Sequence, residues 1–433
     1  MLSLSLSLSE TSPAEWKYIS EGGATVVFSY QGPNHPVLTG KVLRLRKTPR
    51  AREGNGTPGD PDPHPITDEF TVEFQQKVIS PRVYGNTWLQ AFSAYHEPSR
   101  PLERRTISMI DISRRTGVLA LDLIGGVSCA VEVKPKWGFL PNPIHLSQES
   151  RPIKTRNCRT CMYARLKQTE GKNAAMHYCP LDLFSGSRKR LEYALKGLWD
   201  SWVQSNGSIN NLRVFSHGKI VRPNDGLTFQ AWSRESFSLP PDAALTSIKS
   251  RFIDSLLPEF LHTSLLNHIS TLQRSLDSLD CEGFAKLVEL TRIESAGLGD
   301  NRDVNPLDAD SMQPTMEDWV SFVDIFLSPE HQKNSSFKPS NLRYHTLAYL
   351  LSATFKDCSL IITLRPRSAH EESSSIKVID LDFKSVNKIP GWFNLDEKIV
   401  KVYANIHAGM RKECIEGNSE SEYDSCPTST RAG

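Results

Sequence analysis

The hydrophobic period of this chain changes near Pro141 and reverts only briefly towards the end. Before that point, β-branched and aromatic residues fill short strand-like runs at 26–30, 37–45, 106–112, 117–124 and 130–134. The first two flank Gly32-Pro33-Asn34 and read as a hairpin. One helical pattern, near 70–79, interrupts them. After Pro141, apolar residues recur at spacings of three and four over 161–172, 187–204, 241–279 and 340–352, the mark of helices. Two strand-like runs then return, at 359–364 and 377–383. This order predicts an α+β, two-lobed fold with a β-rich N-lobe and a larger, helix-rich C-lobe that carries a late hairpin. A chain of 433 residues is long enough for two such lobes. We expect an N-lobe over 14–118 and a C-lobe over 119–416. Disordered ends are expected at 1–13 and 417–433, and polar insertions at 50–67 and 295–314.

Charge narrows the function. The net charge is only +2, which argues against a protein that coats nucleic acid. The balance hides segregation, because residues 41–52 hold six basic side chains and no acid, and 151–172 hold seven against one glutamate. Two dense basic stretches in a near-neutral chain suit a compact anionic ligand. Eight irregularly spaced cysteines do not make a disulfide framework and point to a reducing compartment. The Ser/Leu-rich start is a poor signal peptide, and no run approaches the roughly 18 apolar residues of a membrane helix. The expectation is a soluble, monomeric protein of nucleus or cytoplasm with no obligate nucleic-acid or membrane partner.

Five segments carry candidate chemistry. In Glu21-Gly22-Gly23-Ala24, Gly22 and Gly23 suit either close approach of backbone N–H groups to phosphate or a plain turn; a P-loop ending is absent. On a strand from Lys41, Lys41 and Leu43 share one face and Arg44 and Arg46 the other, a basic face that serves an anion or protects an edge. Lys134 and Lys136, two apart in Glu132-Val133-Lys134-Pro135-Lys136, read as a phosphate clamp on one side of an extended segment, or as decoration of an edge that Pro135 suits. Arg159, Tyr163 and Lys167 recur every four residues along one helix face, anion-facing or merely solvated. Beside them Cys158 and Cys161 have zinc-ligand spacing, but no second pair follows; His177 and Cys179 are the nearby completers, so metal is not expected there. Asp357 precedes the first late strand in a loop, and Asp380 lies within the second among apolar residues. They suit the proton-accepting and Mg²⁺-holding aspartates of a phosphoryl transferase, or structural ion pairs with Lys356 and Lys384.

Taken together, these segments resemble the inositol-pentakisphosphate 2-kinase family in its fungal-type form. The resemblance rests on Glu21-Gly22-Gly23-Ala24, Gly40-Lys41-Val42-Leu43-Arg44, Glu132 to Lys136 with Gly138-Phe139-Leu140-Pro141, and Pro180-Leu181-Asp182-Leu183-Phe184-Ser185-Gly186. It continues through Asn210-Asn211-Leu212-Arg213-Val214-Phe215, Asp357-Cys358-Ser359 and Asp380-Leu381-Asp382-Phe383-Lys384, in the family's order from Trp16 to about Lys401. It implies a kinase-like fold and transfer of phosphate from ATP, with Mg²⁺, to the axial 2-hydroxyl of inositol pentakisphosphate, giving the hexakisphosphate. It implies that Gly22, Gly23, Val27, Arg44, Leu121, Asp122, Glu132, Arg213, Ile361 and Asp380 face the nucleotide. Arg100, Lys134, Lys136, Arg159, Tyr163, Lys167, Asn210, Asn211, Lys384, Lys388 and Trp392 would face the inositol phosphate. Asp357 would be the general base, with Lys134 beside it, and Asp380 with Asp382 the metal ligands. Tyr163 replaces a histidine and Trp392 a tyrosine of the family pattern. The structural zinc of plant members is not carried over, because the stretch between Phe215 and Asp357 holds Cys281 alone. Two other readings stay open: a different inositol polyphosphate kinase, and a non-catalytic polyanion-binding protein of the same fold.

Overall fold

The computed structural model describes Leu8 and residues 11–23, 25–50, 86–113, 117–174, 177–297, 313–364 and 375–417. The helical pattern expected at 70–79, most of both expected insertions and the 418–433 tail lie outside the described residues. The chain forms two compact units, one of residues 1–127 with 215–220 and one of 128–214 with 221–433.

Unit one holds strands β1 (Trp16–Glu21), β2 (Thr25–Tyr30), β3 (Lys41–Pro49), β4 (Ser108–Ile110) and β5 (Val118–Leu121), with helix α1 (Asn86–His96). β3 is the central strand: Thr25–Ser29 pairs along it antiparallel, and its other edge takes β5 on Lys41–Arg44 and β4 on Lys47–Pro49. The pairing with β5 carries this unit past residue 118, where the sequence pattern suggested a boundary. Strand β3 begins at Lys41, not at 37, because the chain first folds a tight loop. There His35 Nδ1 accepts the N–H groups of Val37 and Leu38, and Gly40 takes φ 72°. β4 stops early because Asp111 Oδ1 accepts from Ser113 N and closes a turn. The expected disorder at 1–13 is corrected in part. Leu8 is fully buried, and Trp16 and Trp88 both donate their indole N–H to Thr11.

A second sheet holds β6 (Cys129–Val133), β7 (Leu212–Ser216), β8 (Lys219–Val221), β9 (Ser359–Leu364) and β10 (Ser375–Ile379), in the order β10-β9-β6-β7-β8, and belongs to unit two except for residues 215–220. β9 lies between β6 and β10, antiparallel to both. The late hairpin is therefore present, but its second strand ends at Ile379. The β7–β8 hairpin was not legible in the helical stretch that contains it.

Helices follow as α2 (Arg159–Thr169), α3 (Arg188–Gln204), α4 (Gly226–Phe237), α5 (Leu245–Leu261), α6 (Leu265–Leu276), α7 (Asp280–Gly297), α8 (Met316–Leu327), α9 (Leu342–Lys356) and α10 (Ile389–Ala404). The single pattern at 241–279 becomes α5 and α6. Pro258 stands inside the last turn of α5, and Thr263 Oγ1 accepts from Leu265 N to start α6. Ser187 caps α3, whose Leu191, Leu195, Leu198, Trp199 and Trp202 bury one stripe. Trp199, Trp202, Phe229, Trp232 and Phe252 form the aromatic heart of this core, against Val131 and Val133 of β6.

Because Val131 and Val133 point into the core, Glu132 and Lys134 fall on the opposite face. The segment after β6 is tied down by one buried amide. Gln273 of α6 donates to the carbonyls of Lys136 and Phe355, each at 2.9 Å, and accepts from Gly138 N at 2.8 Å. It thereby joins the turn after Lys134 to the last turn of α9. Gln273→Leu fills the same space but leaves three buried backbone groups without partners. Urea unfolding is expected to show a loss of about 2–4 kcal/mol; an unchanged midpoint would mean the tie is dispensable.

Candidate functional site

The helices of unit two and the ends of β6 and β9 enclose a cavity of about 360 Å³. It is lined by Lys136, Arg159, Lys167, Lys356, Lys384 and Lys388, with Asp357 as the carboxylate among them. Tyr163, Asn210, Asn211, Trp137, Tyr349 and Trp392 complete much of the wall. So dense a cationic lining, which neighbouring carboxylates offset only in part, favours an anion of several charges.

Five of the six cations, Lys136, Arg159, Lys167, Lys356 and Lys384, have identified partners. Arg159 opens α2 behind its Cys158 cap and lies 4.7 Å over the Trp137 ring. Its Nε bonds Asp396 Oδ1 at 3.1 Å. Asp396 also accepts from buried Lys154 at 2.8 Å, and Lys154 bonds Asp280 as well. Burial disfavours the Lys154 charge, but Asp280 and Asp396 outweigh that and hold its pKa above the ordinary value. One and two turns on, Tyr163 and Lys167 reach the same cavity, with the Lys167 ammonium 4.7 Å over the Tyr163 ring. Burial and then Lys172 pull the Lys167 pKa down, so an arriving phosphate would favour its charged form. Asn211 also lines the wall, and its backbone carbonyl accepts from Lys134 N at 3.0 Å.

At the cavity end nearest the sheet stands Asp357, the C-cap of α9, directly before β9. Its Oδ1 meets Lys136 Nζ at 3.5 Å and its Oδ2 meets Lys384 Nζ at 3.2 Å. The side chain is nonetheless 56% exposed, which leaves it open to a ligand. Its burial favours protonation, but Lys384, Lys136 and Lys134 together hold its pKa below the usual carboxylate value. Next to it Lys134 Nζ lies 3.3 Å from Asp380 Oδ2 and 3.5 Å from the Asp357 carbonyl. Ser359 Oγ bridges Asp380 and Glu132, at 3.2 and 2.8 Å, and Glu132 pairs with Arg213 at 3.3 Å. Ile361 pairs with Glu132 across the β6–β9 ladder.

The lysine pair does not lie on one strand face as its spacing suggested. β6 ends at Val133, and Lys136, just past Pro135, takes the left-handed φ of 64°. Lys134 is thereby aimed at Asp380 and Lys136 at Asp357. Asp380, too, is left-handed, with φ 59°, at the end of β10. Asp382 follows two residues on, and its carbonyl accepts from Thr354 Oγ1. Of these two aspartates, Asp380 is the one whose carboxylate faces Lys134 and Ser359. The ion-pair alternative is half present: Lys384 does pair with Asp357, whereas Lys356 turns to Asp277 at 2.5 Å and to the Trp137 ring at 3.9 Å.

The remaining expected residues lie in unit one. Gly22 and Gly23 follow β1, and a Cβ at either would meet no neighbour. Val27 and Arg44 are ladder partners of β2 and β3. Leu121 is exposed, and Asp122 accepts from Ser29 Oγ, Ile124 N and Gly125 N. Arg100, expected at the substrate, is buried in this structure and bonded to Glu21 at 2.7 Å and Glu97 at 2.8 Å within unit one. Lys47 shares Glu21 with it at 3.0 Å.

A family model described as inositol-pentakisphosphate 2-kinase matches residues 18–398. The chain belongs to that family. A Cryptococcus neoformans protein of the same name is 32% identical over 419 residues, covering 91% of this chain and 94% of its own. Relatives so named from Arabidopsis thaliana and Danio rerio are 24% and 26% identical, over 97% and 90% of this chain and 99% and 93% of their own. In this member of the inositol-pentakisphosphate 2-kinase family, Trp137, Gln273 and Tyr349 were missed by sequence reasoning, and Lys356 was read only as an ion-pair partner of the aspartates. Trp137 adjoins Lys136 and was within reach of it; the others sit on helices whose inner faces only the fold reveals. Among the described residues no helix is long and apolar enough to cross a membrane.

Because nearby cations favour the ionised carboxylate, removing one should let Asp357 keep its proton to higher pH. In Lys384→Met, ¹³C NMR of the Asp357 carboxyl is expected to show its midpoint moved upward from a wild-type value below the ordinary range. An unmoved midpoint would mean Lys384 is not what holds it down.

Proposed function

We propose that this protein transfers the γ-phosphoryl group of ATP to the axial 2-hydroxyl of inositol 1,3,4,5,6-pentakisphosphate, giving inositol hexakisphosphate. The observation that carries this reading is a cavity lined by six cations around one exposed carboxylate whose ionised form the neighbouring lysines favour. An acceptor that already bears five phosphates needs positive charge from several directions, which Lys136, Arg159, Lys167, Lys384 and Lys388 offer from different elements. Tyr163, Asn210, Asn211 and Trp392 shape the same wall, and the broad indole of Trp392 beside Tyr349 supplies a rigid boundary.

Asp357 is our candidate general base. Its ionised state, favoured by the lysines, makes it ready to orient the 2-hydroxyl and take its proton as the oxygen attacks phosphorus. Lys134, poised by Asp380 and the Asp357 carbonyl, is our candidate for neutralising the phosphoryl group in transit. Asp380 and Asp382 would hold Mg²⁺, which when bound offsets charge on the nucleotide phosphates. Glu132, Arg213 and Ile361 of unit two, and Gly22, Gly23, Val27, Arg44, Leu121 and Asp122 of unit one, are the nucleotide-facing candidates. The kinase reading is favoured over a non-catalytic polyanion binder because Asp357 is kept ionised and accessible, where a binder of phosphates would gain nothing from a carboxylate.

The direct test supplies ATP, Mg²⁺ and inositol pentakisphosphate and locates the new phosphate by ³¹P and ¹H NMR. Phosphorylation at the axial 2-position is expected; turnover only of other inositol phosphates would contradict the acceptor assignment. Lys167→Met should raise KM for the acceptor about ten-fold, the loss of one charge-assisted phosphate contact, and should flatten its dependence on salt. An unchanged KM would remove the α2 stripe from the binding site.

A further inference from the structure

Trp137 stands half-buried in the cavity wall beside Lys136, a large neutral ring among cations. Its mounting is rigid. The Lys136 carbonyl before it accepts from Gln273, and Gly138 N after it donates to the same amide. Ser270 Oγ donates to the Gly138 carbonyl at 2.7 Å. Gly138 itself packs so closely on Phe184 that a Cβ there would come within 2.6 Å of the ring. The backbone on both sides of Trp137 is therefore fixed by α6, and the indole has little freedom to swing.

The faces of the indole are occupied. Phe139 stacks on it, with ring centroids 6.0 Å apart and planes 6° from parallel. The Lys356 ammonium lies 3.9 Å and the Arg159 guanidinium 4.7 Å from a Trp137 ring centre. Both cations are also anchored on buried carboxylates, Lys356 on Asp277 and Arg159 on Asp396, so their charge is offset before any ligand arrives. What the ring has left for the cavity is its edge. That edge carries the indole N–H, which has no hydrogen-bond partner among the described residues and is not sealed from solvent. An indole N–H held in a polar wall ordinarily finds an acceptor.

We propose that Trp137 donates its indole N–H to a phosphate oxygen of the bound inositol polyphosphate, a neutral contact among the charged ones. This rests on the reading of the cavity as the acceptor site. The group is a donor only and carries no charge, so it neither repels the anion nor titrates. Cations over the ring draw electron density from it, which sharpens the N–H as a donor. Its use is specificity. A lysine follows a phosphate on a flexible stem, whereas an N–H on a clamped ring accepts a phosphate at one place and in one direction. Trp137 would thus read where a phosphate sits on the inositol ring, and the surrounding lysines how many there are.

The chain has eight tryptophans, whose indole groups give signals in a ¹H–¹⁵N spectrum of the full-length protein. The Trp137 signal is the one missing from Trp137→Phe, or from Trp137→Tyr should the first variant not fold. Inositol hexakisphosphate is added, and its binding is recorded independently by calorimetry. The Trp137 indole proton is expected to move downfield on binding. Trp137→Phe keeps an aromatic face for both cations. Its affinity for inositol pentakisphosphate should fall about ten-fold, the loss of one hydrogen bond to a charged group. The dependence of that affinity on salt should stay as in wild type, because no charge is removed. Hexakisphosphate that binds without moving the Trp137 signal would overturn the proposal. So would a flattened salt dependence in Trp137→Phe, since Trp137 would then act through Arg159 or Lys356. Failure of either inositol phosphate to bind wild-type protein would overturn the acceptor reading, and this contact with it.

Discussion

The antiparallel ladder between β6 and β9 is the constraint on which the candidate site depends. It sets Val133 opposite Leu360 and Glu132 opposite Ile361, although the two strands lie more than two hundred residues apart in the chain. Once that register is fixed, Lys134 leaves the end of one strand beside Asp357 at the start of the other. A slip by one residue would turn Glu132 and Lys134 into the aromatic core and put valines at the cavity. The core therefore enforces the register: Val131, Val133, Leu360 and Ile362 are all buried in it.

Polar groups of low tolerance then fix what the ladder brings together. Gln273 uses both amide donors and its acceptor to bind the turn after β6 to the end of α9. Asp396 plays the corresponding part for the opposite wall, holding Lys154 inside the protein and Arg159 at the cavity. Such buried pairs add little net stability, but each fails badly if one partner is removed. Their value here is position. Arg159 and Lys356 are balanced by Asp396 and Asp277 behind the wall, whereas Lys136 and Lys384 share the single carboxylate of Asp357, an imbalance that a polyphosphate would relieve.

Much of this was legible in the sequence, and the misses have physical causes. The strand runs of the first third and the helices at 159–169, 188–204 and 342–356 followed from apolar spacing, most clearly at 188–204, which buries a full stripe. Short strands such as Lys219–Val221, and helices with a broad or weak apolar stripe such as Asp280–Gly297, gave no such signal. Motif residues in α2, after β6 and around β9 were found from charge spacing and resemblance together. What escaped were interactions across long sequence separations: Gln273 with Lys136, Arg100 with Glu21, and Cys414 with Cys158, whose sulfurs lie within 4.8 Å of each other. The Lys134/Lys136 clamp was read as extended, and only the left-handed turn at Lys136 divides its two charges between two aspartates.

The central claim is that cavity and carboxylate have separate tasks, the lysines holding the acceptor and Asp357 removing its proton. Asp357→Asn separates them, since it keeps the shape and removes one negative charge from among the lysines. Calorimetric binding of inositol pentakisphosphate, paired with single-turnover phosphoryl transfer, measures both. The account predicts affinity equal to or tighter than wild type, with the transfer rate lowered by about 10²–10⁴-fold. Transfer at the wild-type rate, or loss of binding in step with loss of rate, would contradict it.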